Sequence, residues 1–139
     1  GPVPCVMVGS PDYLDARGRP VRPQDLRDHA CLTYSYLATG TEWGMTGPDG
    51  PESVRVTGPY QANNGDVLLQ AVLRGLGISF LPEFLVRGDI EERRLEQVLP
   101  DYSVPELSVF AVSPPNRYQA TKIRMFVEHL AERYSDSPL

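Results

Sequence analysis

Two predicted helix starts carry the side chains best suited to binding chemistry. Ser10 follows a short apolar strand and precedes Pro11, so its hydroxyl can cap a helix that has proline at its first position. Gly9 lets the backbone there come close to a partner, and Ala62-Asn63-Asn64 opens a second, mostly apolar helix. Free backbone N–H groups at a helix start can bind a carboxylate, yet capping is the usual role of serine and asparagine. The residues alone leave both roles open, and the two are compatible.

The sequence offers little for catalysis or for metal binding. It contains no nucleophile elbow and no phosphate-cradling glycine loop, and its aspartates do not show the spacing of an acid–base pair. The two histidines, His29 and His129, are far apart and lack a second ligand at metal-binding spacing. We therefore expect no catalytic residue, no metal site, no cofactor and no enzymatic activity.

Composition places the chain among ordinary globular proteins. Of its 139 residues, 41% are hydrophobic and 22% are charged, and the net charge of −5 argues against direct contact with a phosphate backbone. No apolar run approaches membrane-spanning length and no signal peptide opens the chain, so we expect a cytoplasmic protein. Cys5 and Cys31 lie in apolar surroundings, which favours two free buried thiols, although the sequence also permits a disulfide.

The first half of the chain predicts short strands and short helices joined by tight turns. The pattern predicts a buried strand over 5–8, a helix over 11–17 with Gly18 at its end, a second helix over 24–28, and a strand over 30–37. A hairpin follows, with Trp43 and Met45 on one arm, Val54 and Val56 on the other, and a turn at 47–50. Tyr34 and Tyr36 should share one face, where they can offer hydroxyls to a ligand or pack on the sheet.

The second half carries the strongest local signals. Asn63-Asn64-Gly65-Asp66 is a helix-start cluster, the helix is predicted over 67–74, and Gly75 and Gly77 end it in a tight turn. A strand over 78–81 and another helix from Pro82 follow, an order typical of an α/β layer with a parallel sheet. Residues 95–99 should lead back to the sheet, and 107–112 should form an apolar strand. The last helix has an amphipathic stripe that needs an apolar partner, formed by Ile123, Phe126, Val127, Leu130, Ala131 and Tyr134.

Several stretches together resemble one protein family. In chain order they are Gly9-Ser10-Pro11-Asp12-Tyr13-Leu14 with Gly18-Arg19-Pro20, Pro23-Gln24-Asp25-Leu26 with His29, Trp43 with Gly47-Pro48-Asp49-Gly50, Ala62-Asn63-Asn64-Gly65, Gly75-Leu76-Gly77-Ile78 with Leu81-Pro82, and Val98-Leu99-Pro100. Their order and spacing over nearly the whole chain resemble the C-terminal portion of the effector domain of LysR-type transcriptional regulators.

The resemblance implies a type II periplasmic-binding-protein-like α/β fold, with a mixed, mainly parallel sheet flanked by helices. Residues 1–139 would be a partial effector-binding domain: about 5–84 would form lobe two with the crossover strands, and about 105–135 the closing elements of lobe one. The rest of lobe one and a winged helix-turn-helix would precede this segment. Without the rest of lobe one, the last helix would pack on lobe two or on another copy of the chain.

The resemblance also implies a function. A small metabolite, anionic or aromatic, would bind between the lobes and control DNA binding through the N-terminal domain, in a homodimer or tetramer without membrane contact. The expected effector-binding residues are Gly9, Ser10, Ala62, Asn63, Asn64, Phe80, Leu81 and Pro82. Core packing is the competing role for Phe80 and Leu81. The alternative function is a periplasmic solute-binding protein of the same fold.

Overall fold

The computed structural model describes residues 1–37, 39–110, 112 and 121–134. Its strands are β1 (Pro2–Val3), β2 (Cys5–Gly9), β3 (Thr33–Tyr34), β4 (Glu42–Gly47), β5 (Gly50–Arg55), β6 (Gln61–Ala62), β7 (Ser79–Pro82), β8 (Glu96–Gln97) and β9 (Leu107–Ser108). Its α-helices are α1 (Pro11–Arg17), α2 (Gly65–Leu73), α3 (Glu83–Glu91) and α4 (Thr121–Tyr134), and a 3-10 helix spans Pro23–Asp28. Of the predicted closing elements over 105–135, residues 111, 113–120 and 135 lie outside the described residues.

The centre of the fold is an antiparallel pair, β2 with β7, whose register runs from Cys5 opposite Pro82 to Val8 opposite Ser79. Strand β8 joins the other edge of β2, with Gly9 opposite Glu96. The predicted return of residues 95–99 to the sheet is thus confirmed. Because β2 is covered on both faces, it reads as a continuous apolar run and not as an alternating pattern.

The segment after the 3-10 helix supplies the parallel part of the sheet. Cys31 forms a parallel bridge with Ile78, next to β7, and β3 pairs in parallel with β6 on its other side. The pairing is mixed, as expected, but it is not mainly parallel: β2 pairs antiparallel with β7 and β8, and β4 with β5. The hairpin must be antiparallel because its turn is too short for a crossover.

Two apolar cores lie on opposite faces of this sheet. Met7 belongs to a core with Trp43 of the hairpin, whereas its neighbour Val8 belongs to a core with Leu68 of α2. Cys31 and Leu32 divide between the two cores in the same way. Alternation along each strand therefore builds three layers: hairpin with α1, sheet, and α2 with α3.

Local signals at helix ends are confirmed. The Ser10 Oγ accepts a hydrogen bond from the Tyr13 N–H at 3.3 Å, and Gly18, whose φ is 86°, caps the C-terminal end of α1. Asn64 caps α2, and Gly75, with φ of 76°, closes the turn after it. The predicted strand over 30–37 is shorter, because the chain turns at residues 35 and 36 after β3.

The end of the chain is less buried than the apolar stripe predicts. Strand β9 pairs with β1, and a space of about 300 Å³ lies between α4 and the residues that follow β9, Val109 and Phe110. Within α4 no residue is buried, and the side chains of Ile123 and Phe126 are 44% and 62% exposed. Along the ranges that the structure describes, no helix has the length and apolar character needed to cross a membrane.

A candidate ligand-binding cavity

A cavity of about 320 Å³ lies where β7 ends and where α2 and α3 begin. That volume suits a small ligand, and most of the wall is apolar or aromatic, as in typical small-molecule sites. The lining residues are Cys5, Tyr34, Leu37, Gly65, Asp66, Phe80, Leu81, Pro82, Phe84, Leu85 and Leu107.

Strand β7 forms one wall and links it to both cores. Leu81 is 1% exposed and belongs to the core shared with α2 and α3. Phe80 points to the other face, where its ring packs edge-on against Trp43, with ring centroids 5.0 Å apart and planes at 76°. Core packing and cavity lining are therefore not alternatives for these residues, since each does both.

The start of α2 forms a second wall. The Asn64 Oδ1 accepts hydrogen bonds from the backbone N–H groups of Asp66, at 2.8 Å, and Val67, at 3.3 Å. A Cβ on Gly65 would approach the Leu85 side chain to 3.3 Å, so glycine leaves room for α3 beside this turn. The cap and the glycine together hold α2 close to α3.

The start of α3 forms the third wall. Pro82 ends β7 and precedes the first helical residue, Glu83, whose backbone N–H donates to the Pro4 carbonyl at 2.8 Å. The Glu83 carboxylate pairs with the Arg87 guanidinium at 3.3 Å, one turn later. Phe84 lines the cavity and is 52% exposed, so its ring is available to a ligand.

Cys5 contributes a thiol to the wall from β2. Desolvation by burial raises the pKa of this thiol, and a backbone hydrogen bond from Leu107 only partly opposes the increase. The thiol is therefore protonated at neutral pH and poorly nucleophilic. Cys5 and Cys31 are both free, as predicted.

The structure divides the residues predicted to bind an effector. Phe80, Leu81 and Pro82 line the cavity, and Asn64 caps the helix at its edge. Ala62 pairs with Tyr34 in the β3–β6 ladder, and Asn63 is exposed beside it.

Gly9 and Ser10 lie at the other end of β2 from the Cys5–Pro82 pair, and neither lines the cavity. Ser10 is 4% exposed, and its hydroxyl caps α1 close to Gly75. Sequence reasoning missed several lining residues, namely Cys5, Leu37, Gly65, Asp66, Phe84, Leu85 and Leu107. The predicted helix starts at 63–66 and at Pro82 were the available signals for Gly65, Asp66, Phe84 and Leu85, because the first turn of each helix faces the cavity.

A three-layer α/β chain with a mainly apolar cavity beside two antiparallel strands has the features of a small-molecule-binding domain. The chain belongs to the LysR substrate binding domain family, whose sequence profile matches residues 1–135. It has the type II periplasmic-binding-protein-like α/β fold of the family's regulatory domains.

Similar proteins are transcriptional regulators. The chain is 32% identical to the HTH-type transcriptional regulator PtxR of Pseudomonas aeruginosa over 133 residues, 96% of this chain and 43% of PtxR. It is 33% identical to the activator TtdR of Escherichia coli K12 over 127 residues, 91% of this chain and 41% of TtdR. The regulatory domain of AphB in Vibrio vulnificus matches with a TM-score of 0.75 and 26% identity, over 96% of this chain and 66% of that domain.

The chain thus spans about two fifths of the length of the curated relatives it matches. Because these relatives regulate transcription, the comparisons favour a regulator and give no support to the periplasmic solute-binding alternative.

Proposed function

We propose that this chain is the effector-sensing part of a bacterial LysR-type regulator. A small metabolite binds in the cavity beside the β2–β7 pair and controls DNA binding by a winged helix-turn-helix elsewhere in the protein. The observation that carries the proposal is the cavity itself, which Phe80, Leu81 and Pro82 of β7 line in a chain of this family.

The strand pair suggests how binding is transmitted. Residues 5–84 form lobe two with the crossover strands, and residues 105–135 belong to lobe one. Cys5 and Pro82 on the pair, and Leu107 of β9, all contact the same cavity, so a ligand there bears on both groups of elements. The ligand shifts the equilibrium between two arrangements of the lobes, and the difference between its affinities for the two arrangements sets the size of the shift.

The remaining assignments follow from the class of the relatives. The protein acts in the cytoplasm as a homodimer or tetramer, touches DNA only through its separate domain, and catalyses no reaction. The net charge of −5 supports a segment that does not itself grip DNA.

The test uses the full regulator and a metabolite panel read by thermal shift and calorimetry. At least one compound should bind, and Phe84→Ala should weaken it about tenfold, because an aromatic wall is lost. Phe126→Ala is the matched control, since Phe126 is also largely exposed but lies on α4. A panel without any binder, or an affinity that Phe84→Ala leaves unchanged, would contradict the proposal.

A further inference from the structure

We infer that the cavity takes a small organic amine with an apolar, preferably aromatic, body and discriminates against carboxylates. The inference rests on the proposed function, because it names the ligand class of the same cavity. It departs from the expectation that helix starts in this family's cleft attract anions.

The charge of the wall is the first argument. Among the described residues that line the cavity, Asp66 is the single charged side chain, and neither a lysine nor an arginine faces a ligand there. A ligand carboxylate that leaves water needs a cationic or hydrogen-bonding partner, whereas an ammonium group finds its counter-charge in Asp66, an exposed residue that lines the cavity.

The start of α2 has little capacity left for an anion. Its backbone N–H groups at Asp66 and Val67 already donate to the Asn64 side chain, and the N–H of Leu68 donates to the Asn64 carbonyl at 3.2 Å. The Asp66 carboxylate in the first turn further offsets the positive end of the helix dipole. An incoming carboxylate would meet occupied donors and a like charge.

The positive end of the helix dipole at the start of α3 is offset in the same way. Glu83 places a carboxylate in the first turn, and its N–H is used by the Pro4 carbonyl. The nearest cation on this helix, Arg87, is paired with Glu83 and lines a different surface groove with Val6 and Gln97. This arginine is therefore not available to neutralise a ligand in the cavity.

Aromatic rings supply the other half of an amine site. Tyr34, Phe80 and Phe84 all contribute to the wall. The negative faces of such rings attract cations, most strongly where water is excluded, and their area accommodates an apolar body. Rings together with one carboxylate recognise an ammonium group, whereas neither favours an anion.

The experiment compares three probes of one shape, benzylamine, benzyl alcohol and benzoate, by calorimetry on the full regulator. Benzylamine should bind about tenfold more tightly than benzoate, with benzyl alcohol between them. Asp66→Asn should reduce benzylamine to the level of benzyl alcohol while leaving benzyl alcohol unchanged, which also shows that the variant is folded. Asp49→Asn, in the hairpin turn and away from the cavity, should preserve the order of the three probes.

The outcomes separate the two proposals. Benzoate binding that Phe84→Ala weakens would support the cavity as the binding site but overturn the amine class. Benzylamine binding that Asp66→Asn leaves intact would have the same consequences. If none of the three probes binds but a panel metabolite does, a metabolite that is an amine upholds the inference, and a metabolite of any other charge overturns it. If neither the probes nor the panel bind, the proposed function fails and the inference fails with it.

Discussion

Asn64 determines which backbone N–H groups at the start of α2 remain available to a ligand. One side-chain oxygen satisfies two backbone donors, so the residue acts as a cap and leaves little for a ligand. Residue type alone could not separate capping from ligand binding, because asparagine serves both and the distinction depends on which donors are already used.

Asn64→Ala should lower the free energy of unfolding by about 1 kcal/mol, because two N–H groups lose their acceptor. Urea denaturation followed by far-UV circular dichroism measures the loss. The neighbouring exposed Asn63→Ala provides the control and should stay close to the parent protein. Equal losses for both variants would refute the assignment of the cap to Asn64.

Tyr13 and His29 form a buried polar pair that ties α1 to the sheet. The Ala30 N–H donates to the Tyr13 hydroxyl at 2.9 Å, and that hydroxyl lies 3.1 Å from the His29 Nδ1. With its oxygen accepting from Ala30, the hydroxyl can donate to Nδ1, which requires a neutral ring.

Acidification should therefore destabilise the fold through His29. Desolvation and the nearby Arg17 hold the pKa of His29 below its ordinary value of 6.5, and Asp25 and Asp28 oppose this only partly. The unfolded chain then binds the proton more readily, so stability is fully present above about pH 6.5 and is lost as the pH falls towards the folded pKa.

The measurement is the unfolding free energy across this pH range. His29→Asn should flatten the dependence near pH 6, because the amide can accept from Tyr13 without titrating. His129→Asn, on the exposed surface of α4, should keep the parent slope. A slope that persists in His29→Asn would show that another group is responsible.

At the scale of elements, the turn between α2 and β7 depends on a close approach of two backbones. A Cβ on Gly77 would overlap the Ala30 carbonyl, which accepts the Ile78 N–H at 2.8 Å in the parallel part of the sheet. The same sequence signal that predicted a tight turn here thus also reflects contact between neighbouring segments.

Gly77→Ala should cost about 1–3 kcal/mol, because the strands must separate to admit the methyl group. Gly88→Ala makes the opposite prediction: Gly88 lies within α3 with open space around its Cα, so alanine should stabilise by about 0.5–1 kcal/mol. Thermal melts of the two variants should move in opposite directions. A melting temperature unchanged by Gly77→Ala would contradict the close packing.

Elements whose signals are local were the ones predicted well. Caps and turns at Ser10, Gly18, Asn64 and Gly75 depend on neighbours within a few residues, and α1, α2 and the hairpin follow from them. The strand predicted over 30–37 was too long because alternation and β-propensity do not show where a chain must turn. The predominance of antiparallel pairing was missed because strand partners are set by long-range packing.

At the scale of the whole molecule, the sheet lies between two apolar cores and contributes side chains to both. Because Met7 and Val8 face opposite sides of one strand, damage to either core must strain β2 and its neighbours. We therefore expect the described three layers to unfold as one cooperative unit.

Leu68→Ala tests this coupling from the side away from the single tryptophan. Removing the fully buried Leu68 should cost about 2–5 kcal/mol. Trp43, in the other core, should report the same shift in denaturation midpoint as far-UV circular dichroism. The expectation would be wrong if Trp43 fluorescence kept the parent midpoint while the circular dichroism transition moved.

The candidate site could be predicted only in part, because a cavity is a property of the assembled molecule. Phe80, Leu81 and Pro82 were found through the family resemblance, and they do line the cavity. Ser10 was predicted to join them, but the length of β2 places it at the opposite end of the strand pair. Leu37 and Leu107 come from segments whose placement no local pattern determines.

The alkylation rates of the two thiols report on two different changes in the molecule. Burial raises the pKa of Cys31 to about 12, and its side chain is fully enclosed, so alkylating reagents reach it only when the central layers separate. Cys5 is only half-buried and borders the cavity, so its modification rate depends on whether that space is filled. A single alkylation time course can thus distinguish a molecule that has released its ligand from one that has come apart.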